Sequence, residues 1–209
     1  LFKTMKYKTT ILKKTDGDEF GPMVSPNGKR VVYRRGRGKL VVNDISAKGK
    51  LSNEKLLQDG WDTPQGVSWS PDSKWLAYGL ADLNFNQDVF IHIADNSKPP
   101  VNVSMHPKWD GSPVWSKDGS KLGFISERNN GDSDIWFVWL QQSEWEKSNE
   151  KRKREKSDGE SSKESKFKEK DQKEGEITVK IDFDKIYNRV QQVTRYLGNE
   201  SDFVFHIDG

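Results

Sequence analysis

The chain of 209 residues contains no cysteine, which excludes a disulfide framework and a thiolate metal site. No run approaches the roughly eighteen apolar residues that would cross a bilayer, so no membrane span is expected. Hydrophobic residues make up only 32% of the chain, and the mean hydropathy is −0.92. That deficit is local. From Glu150 to Glu176 almost every residue is charged or small and polar, with Phe167 as the sole large apolar group. The remainder is rich in Trp, Phe, Val and Ile, enough to bury a core. Charge of one sign is also lacking: 35 basic residues face 32 acidic ones, a net charge of +3. A nucleic-acid binder shows a clustered basic face and a pI above about nine, so no nucleic-acid partner is expected. The densest basic run, Lys151-Arg152-Lys153-Arg154, is followed by Glu155, Asp158, Glu160 and Glu164. It reads as a solvated polyampholyte ahead of a polyanion-binding patch.

Recognisable catalytic patterns are equally absent. There is no HExxH, GxSxG, P-loop or dinucleotide glycine pattern. His92, His106 and His206 lie far apart in the chain, and His92 reads as a partly exposed strand residue. Neither a cofactor nor a metal is expected. Asn129-Asn130-Gly131-Asp132-Ser133-Asp134 offers several oxygens for calcium, but its spacing is not that of an EF-hand loop; a polar hairpin is the simpler reading.

What the chain does have is a repeat. Pro22-Met23-Val24-Ser25-Pro26-Asn27-Gly28-Lys29-Arg30-Val31-Val32-Tyr33 is echoed by Gly66-Val67-Ser68-Trp69-Ser70-Pro71-Asp72-Ser73-Lys74-Trp75-Leu76-Ala77-Tyr78. A third copy is Ser112-Pro113-Val114-Trp115-Ser116-Lys117-Asp118-Gly119-Ser120-Lys121-Leu122-Gly123-Phe124. The anchor serines Ser25, Ser70 and Ser116 are 45 and 46 positions apart. A period in the low-to-mid forties with four short strands per unit is the signature of propeller blades. The turn chemistry fits: Pro presets φ, Asn or Asp bonds its own backbone, and Gly accepts positive φ. The three serines recur for this turn, since a nucleophile without an adjacent base is not expected in every unit.

Apolar runs supply the other strands. Third strands are read at Leu40–Ile45, Val89–Ile93 and Ile135–Leu140, and weaker outer strands at Lys55–Leu57 and Val101–Val103. The fold class expected is all-β: a β-propeller segment of four-stranded antiparallel blades, about three full blades plus partial ones, in an incomplete ring. Residues 1–19 form the outer strand of a preceding blade, at Tyr7 to Leu12, and a connection. Residues 20–63 and 64–110 form two blades, and 111–146 the inner strands of a third. A disordered charged insertion follows over 147–176. Residues 177–198 are a return, with Ile177 to Phe183 alternating in strand fashion, and the outer strand of the third blade, read at Arg189 to Thr194; 199–209 begin the next, with Phe203 to Gly209 as strand and turn. Rings close with about four to eight blades, so a longer parent chain is expected. Each blade is led in by a loop: Asp16 to Phe20, Asp59 to Asp62, and Lys108 to Gly111. These precede the innermost strands, and Trp61, Asp62, Trp109 and Asp110 are the candidate binding residues, an aromatic and acidic lining for extended or basic peptides. The alternative is that the rings pack between blades and the carboxylates cap turns.

The order of features resembles the propeller region of tricorn-type serine peptidases. Val67 to Tyr78 and Ser112 to Arg128 look like successive blades of that family. After the charged insertion, Val179-Lys180-Ile181-Asp182-Phe183-Asp184-Lys185-Ile186-Tyr187-Asn188-Arg189-Val190 is similar to its Asp-x-Asp-x-Ile-x-x-Arg segment, leading to a Gly198-Asn199 loop. Asn188 departs from the acidic residue usual there, and the lysine-rich insertion is unusually long. Ser-Pro-Asp-Gly-Lys repeats also occur in TolB-like scaffolds and in prolyl-oligopeptidase propellers, which remain alternatives. The resemblance implies a non-catalytic segment that gates or guides peptides or unfolded polypeptide toward a serine protease domain of the same chain, beyond Gly209. No catalytic residue therefore carries over. It implies further blades and that protease domain as partners, leaves a homo-oligomer open, and points to an exported protein ahead of a cytoplasmic one.

Overall fold

The computed structural model describes residues 10–129, 131–157 and 177–206. They divide into two compact units, the first ending at Thr63 and the second beginning at Pro64.

The first unit is one antiparallel sheet of β1 (Glu19–Val24), β2 (Arg30–Arg35), β3 (Lys39–Ile45) and β4 (Leu51–Asp59), paired in that order. The second holds two such sheets. One is β5 (Gln65–Trp69), β6 (Trp75–Ala81), β7 (Gln87–Ile93) and β8 (Val101–Asn102). The other is β9 (Asp110–Trp115), β10 (Lys121–Asn129), β11 (Asp132–Trp139) and β12 (Val190–Gln192). Each is a four-stranded blade with consecutive strands adjacent, so the expected propeller-segment architecture is the one observed.

The repeated turn does what its sequence demands. Ser25 Oγ donates to Asn27 Oδ1 at 2.9 Å and accepts the Arg30 amide at 3.0 Å. Ser70 with Asp72 and Trp75, and Ser116 with Asp118 and Lys121, repeat both bonds. Gly28, Ser73 and Gly119 adopt φ of 71°, 62° and 70°, so the serine in the second turn takes a backbone region that favours glycine.

A second device recurs in the three inner strands. Every inner strand shifts register once, after Phe20 in β1, after Gln65 in β5, and opposite the Gly123–Ile125 step in β9. Gly21, Gly66 and Ser112 occupy the same repeat position there, with φ of 60°, 57° and 51°. These are β-bulges, which re-aim the residues beside them. At Gly66 a Cβ would lie 3.1 Å from Pro113 Cδ and Ser112 Cα, so the bulge also lets β5 and β9 approach closely.

The core of the second unit lies between its two blades. Ala77, Val89, Ile91 and Val103 pack with Trp115, Leu122, Phe124, Val138 and Leu140. A Val, Leu, Ile or Phe side chain buried in this way contributes about 1.5–3 kcal/mol relative to exposure. Val179 and Ile186 join this cluster, with Ile181 and Phe183 against it. The stretch Ile177 to Phe183, expected to alternate as a strand, is extended without strand partners. It straps both blades instead: the Val179 amide donates to Asp72 Oδ2 at 3.0 Å and Phe183 meets the Trp75 ring at 5.5 Å between centroids, while the Asp182 amide donates to the Leu140 carbonyl, just after β11, at 2.9 Å.

The charged insertion also differs from expectation at its start. α1 (Gln142–Ser157) is a helix where disorder was expected from 147. Glu, Gln, Lys and Arg are strong helix formers. The Gln142 amide donates to Asp182 Oδ2 at 2.9 Å, and Lys147 pairs with Glu144 at 2.8 Å. The rest of the insertion, 158–176, lies outside the described residues. So do Tyr7 to Thr9 of the expected opening strand, Asn130, and Ile207 to Gly209; residues 10–12 and 203–206 are in no strand.

The base of the insertion is closed by Arg189, in a short 3-10 helix (Ile186–Arg189). Although nearly fully buried, its guanidinium donates to the carbonyls of Trp139 (3.0 Å), Leu140 (3.4 Å), Asp184 (3.2 Å) and Asp182, and to Gln142 Oε1 (3.3 Å).

Candidate functional site

The strongest concentration of polar chemistry is in the second unit, where the segment after β8 reaches β9. Asp88 of β7 organises that segment, accepting from Asn102 Nδ2 (2.8 Å), Ser104 Oγ (3.1 Å) and the His106 amide (3.1 Å). The next anchor is Asp110, the first residue of β9 and 0% exposed. Its Oδ2 takes Nη2 of Arg128, from the end of β10, at 2.8 Å. Arg128 also donates to Ser126 Oγ at 2.8 Å and the Ser104 carbonyl at 3.4 Å. Its guanidinium lies 5.3 and 5.0 Å from the ring centres of Phe124 and Trp136, a cation–π arrangement. Burial raises the Asp110 pKa, against the opposing pull of Arg128. Burial, and then the Arg128 charge, lowers that of His106.

The first unit repeats this theme. Glu19 holds the position in β1 that Asp110 holds in β9, and its Oε1 lies 3.3 Å from Arg35 Nε. Arg35 also forks onto Glu54, with Nη1 to Oε1 at 2.9 Å and Nη2 to Oε2 at 2.8 Å. That hydrogen bonding lowers the Glu54 pKa to about 2. An acidic residue opening the inner strand and an arginine closing its neighbour is thus a recurring rim feature in two of the blades. Sequence offered a signal for it, an acidic residue six positions before each of Ser25 and Ser116, but not the arginine partner.

The expected binding residues fall in different units. Trp61 and Asp62 belong to the first and are half-buried; Arg37 Nε donates to the Trp61 carbonyl at 3.0 Å. Trp109 and Asp110 belong to the second. The Trp109 ring lies over Gly111, where a Cβ would come within 2.5 Å of it, and is half-buried. Asp110 is covered, so its carboxylate reaches a ligand only through Arg128.

His92 is not the partly exposed residue expected. It is 1% exposed, with Nδ1 3.1 Å from Tyr78 Oη and Nε2 3.0 Å from Asn96 Oδ1. In β7 the residues on its face, Asp88 and Phe90, are half-buried, and the Tyr78 ring and Asn96 cover the imidazole itself. Burial pushes the imidazole below its ordinary 6.5. In the 129–134 hairpin, Asp134 accepts from Gln192 at 2.8 Å and Asn129 at 3.2 Å. Among the described residues no three His, Asp or Glu converge as metal ligands. The turn serines Ser25, Ser70 and Ser116 each donate to a turn Asn or Asp. The site is therefore built of ion pairs and amide hydrogen bonds that hold its side chains in place.

These sheets and rims define the class: a segment of a β-propeller. Among solved structures, it is similar to the crystal structure of the tricorn protease, with 15% identity, a TM-score of 0.61, and coverage of 89% of this chain and 18% of that one. It is also similar to the crystal structure of puromycin hydrolase, with 14% identity, a TM-score of 0.50, and coverage of 61% and 21%. The structure of putative TolB from Agrobacterium tumefaciens matches at 20% identity and a TM-score of 0.46, over 61% of this chain and 47% of that one. The chain thus spans about a fifth of the length of the first two. At these identities the likeness is one of fold: the chain has the tricorn-type propeller fold. No protein-family model matches it, and no curated protein does.

Proposed function

We propose that this chain is a non-catalytic propeller segment of a tricorn-like serine peptidase, guiding peptides or unfolded polypeptide toward a protease domain elsewhere in the same protein. The observation that carries this is the tricorn likeness over 89% of the chain, at a TM-score of 0.61. Loop-borne recognition on a rigid sheet scaffold is the usual division of labour. Trp61, Asp62 and Trp109 supply aromatic and acidic contacts, and Asp110 acts by holding Arg128. The remaining blades and the protease domain are its intramolecular partners.

The test compares the 209-residue chain with the full-length gene product. The full-length protein is expected to cleave peptides and to be labelled by a fluorophosphonate, while this chain binds peptides without cleaving them. A full-length protein that is neither labelled nor hydrolytic would instead be an interaction scaffold. The puromycin hydrolase likeness favours a second reading, the propeller of a prolyl-oligopeptidase-type enzyme. A nucleophile-elbow serine in an α/β-hydrolase domain of the full-length protein would select it.

A further inference from the structure

Two loops of the second unit carry apolar side chains into solvent on a backbone held by polar bonds. One joins β6 to β7. There the Asp82 amide donates to the Asn86 carbonyl at 2.9 Å and the Phe85 amide to the Asp82 carbonyl at 3.0 Å. Asp82 Oδ1 accepts the amides of Asn84 (2.8 Å) and Asn86 (3.0 Å). The other loop leads from β8 to β9, where the Met105 amide donates to Asn102 Oδ1 at 2.9 Å and the His106 amide to Asp88 Oδ1 at 3.1 Å. Asn86 Nδ2 joins the two, donating to the His106 carbonyl at 2.9 Å. On this platform Leu83, Phe85 and Met105 are 80%, 79% and 60% exposed.

The backbone there is strained as well as fixed. Phe85 and Met105 have φ of 63° and 46°, and among the described residues they are the only large apolar side chains at positive φ. That conformation costs free energy for any residue with a Cβ, and leaving three large apolar groups in water adds to the cost. A fold that over-determines both loops to keep them so points to a contact surface.

Charge narrows the occupant. On and beside these loops lie Asp82, Asp88 and Asp110 against Lys108 and Arg128, and burial beside Arg128 disfavours a charged His106. The balance is slightly acidic, unsuited to an anionic bilayer or a nucleic acid and compatible with neutral or basic polypeptide. We infer that Leu83, Phe85 and Met105 form a docking point for apolar side chains of an extended polypeptide. Methionine's flexible thioether lets one point accept side chains of different shapes. This inference rests on the peptide-guiding reading and names the residue class that reading recognises.

The test uses the 209-residue chain and the anisotropy of two labelled unstructured peptides, one carrying leucine and phenylalanine, the other with serine in their place. The apolar peptide is expected to bind and the serine peptide not. The triple variant Leu83→Ser, Phe85→Ser, Met105→Ser should lose at least about tenfold in affinity with its circular dichroism and melting unchanged. Asp82→Ala, which loosens one loop without touching the apolar groups, should lose several-fold. Apolar-peptide binding that the triple variant retains would overturn the docking point and leave the guiding reading intact. Absence of binding to either peptide would remove both. Triple-variant-sensitive binding to phosphatidylserine vesicles in place of peptide would reassign the surface to a bilayer and overturn the inference.

Discussion

Arg128 Nη2 meets Asp110 Oδ2 at 2.8 Å, and the two side chains are 10% and 0% exposed. A buried pair owes its existence to mutual compensation, since either charge alone pays an uncompensated desolvation penalty. Arg128→Met should therefore destabilise the chain by roughly 3–5 kcal/mol, the cost typical of leaving one buried partner behind. The double variant Arg128→Met, Asp110→Leu should recover most of that loss. Urea denaturation of the two variants beside the wild type measures both; equal losses would show that packing, and not the ion pair, holds this rim.

Two glycines in the same repeat position are expected to differ in cost. At Gly28, φ is 71° and a Cβ would meet nothing within 4 Å, so Gly28→Ala brings backbone strain alone, roughly 1–2 kcal/mol. At Gly119, φ is 70° and a Cβ would sit 2.6 Å from Val179 Cγ2. Gly119→Ala adds displacement of the strap, and should exceed the Gly28 cost by at least about 1 kcal/mol. Thermal melts of the two variants give the comparison, and faster hydrogen exchange over 177–183 should accompany only the second.

Stability should fall on mild acidification. The His92 pKa lies below 6.5 in the fold because of burial, so the unfolded chain binds a proton first. The contribution of neutral His92 is complete above about pH 6.5 and is lost as pH drops toward the folded value. In His92→Gln this part of the decline should disappear, visible as a smaller difference between denaturation midpoints at pH 7.5 and 5.5, two conditions chosen about one unit either side of 6.5. Glu54, lowered to about 2 by Arg35, acts in a more acidic window. Its stabilisation is present above 4.5, its ordinary value, and is lost as pH falls toward 2.

Arg189 should prove specific for its guanidinium. Lysine has three donors on one point and cannot serve acceptors spread over Trp139, Leu140, Gln142, Asp182 and Asp184. Arg189→Lys should cost about 2 kcal/mol or more, because buried carbonyls lose their donor. Hydrogen exchange should quicken at Gln142 and Asp182, whose amides close the base of the insertion, while β6 and β7 keep their protection.

Blades were legible in the sequence because their defining contacts are local. Ser70 finds Asp72 two residues away and the Trp75 amide five residues away, and the turn forces the next strand to start in register. Four strands per unit followed from apolar runs, although β4 runs over Leu51–Asp59, well beyond the Lys55–Leu57 expected. The lining residues were less legible. The sequence places Trp109 and Asp110 side by side, yet one ring lies over Gly111 and the carboxylate is covered by Arg128, a relation that requires β9 and β10 to be aligned first. Leu83, Phe85 and Met105 stand alone in loops, and isolated apolar residues carry no periodic signal.

The amino-acid order alone settled the period, the turn geometry and the all-β blade, because these depend on residues within a few positions of one another. Tertiary structure decided the burial of His92, the bulges that aim each inner strand, the strap over Val179 and the clamp by Arg189. Those depend on partners brought together by sheet pairing and packing, as far as 107 positions apart for Val179 and Asp72. Such contacts form only after chain entropy has been overcome elsewhere, and no local pattern announces them.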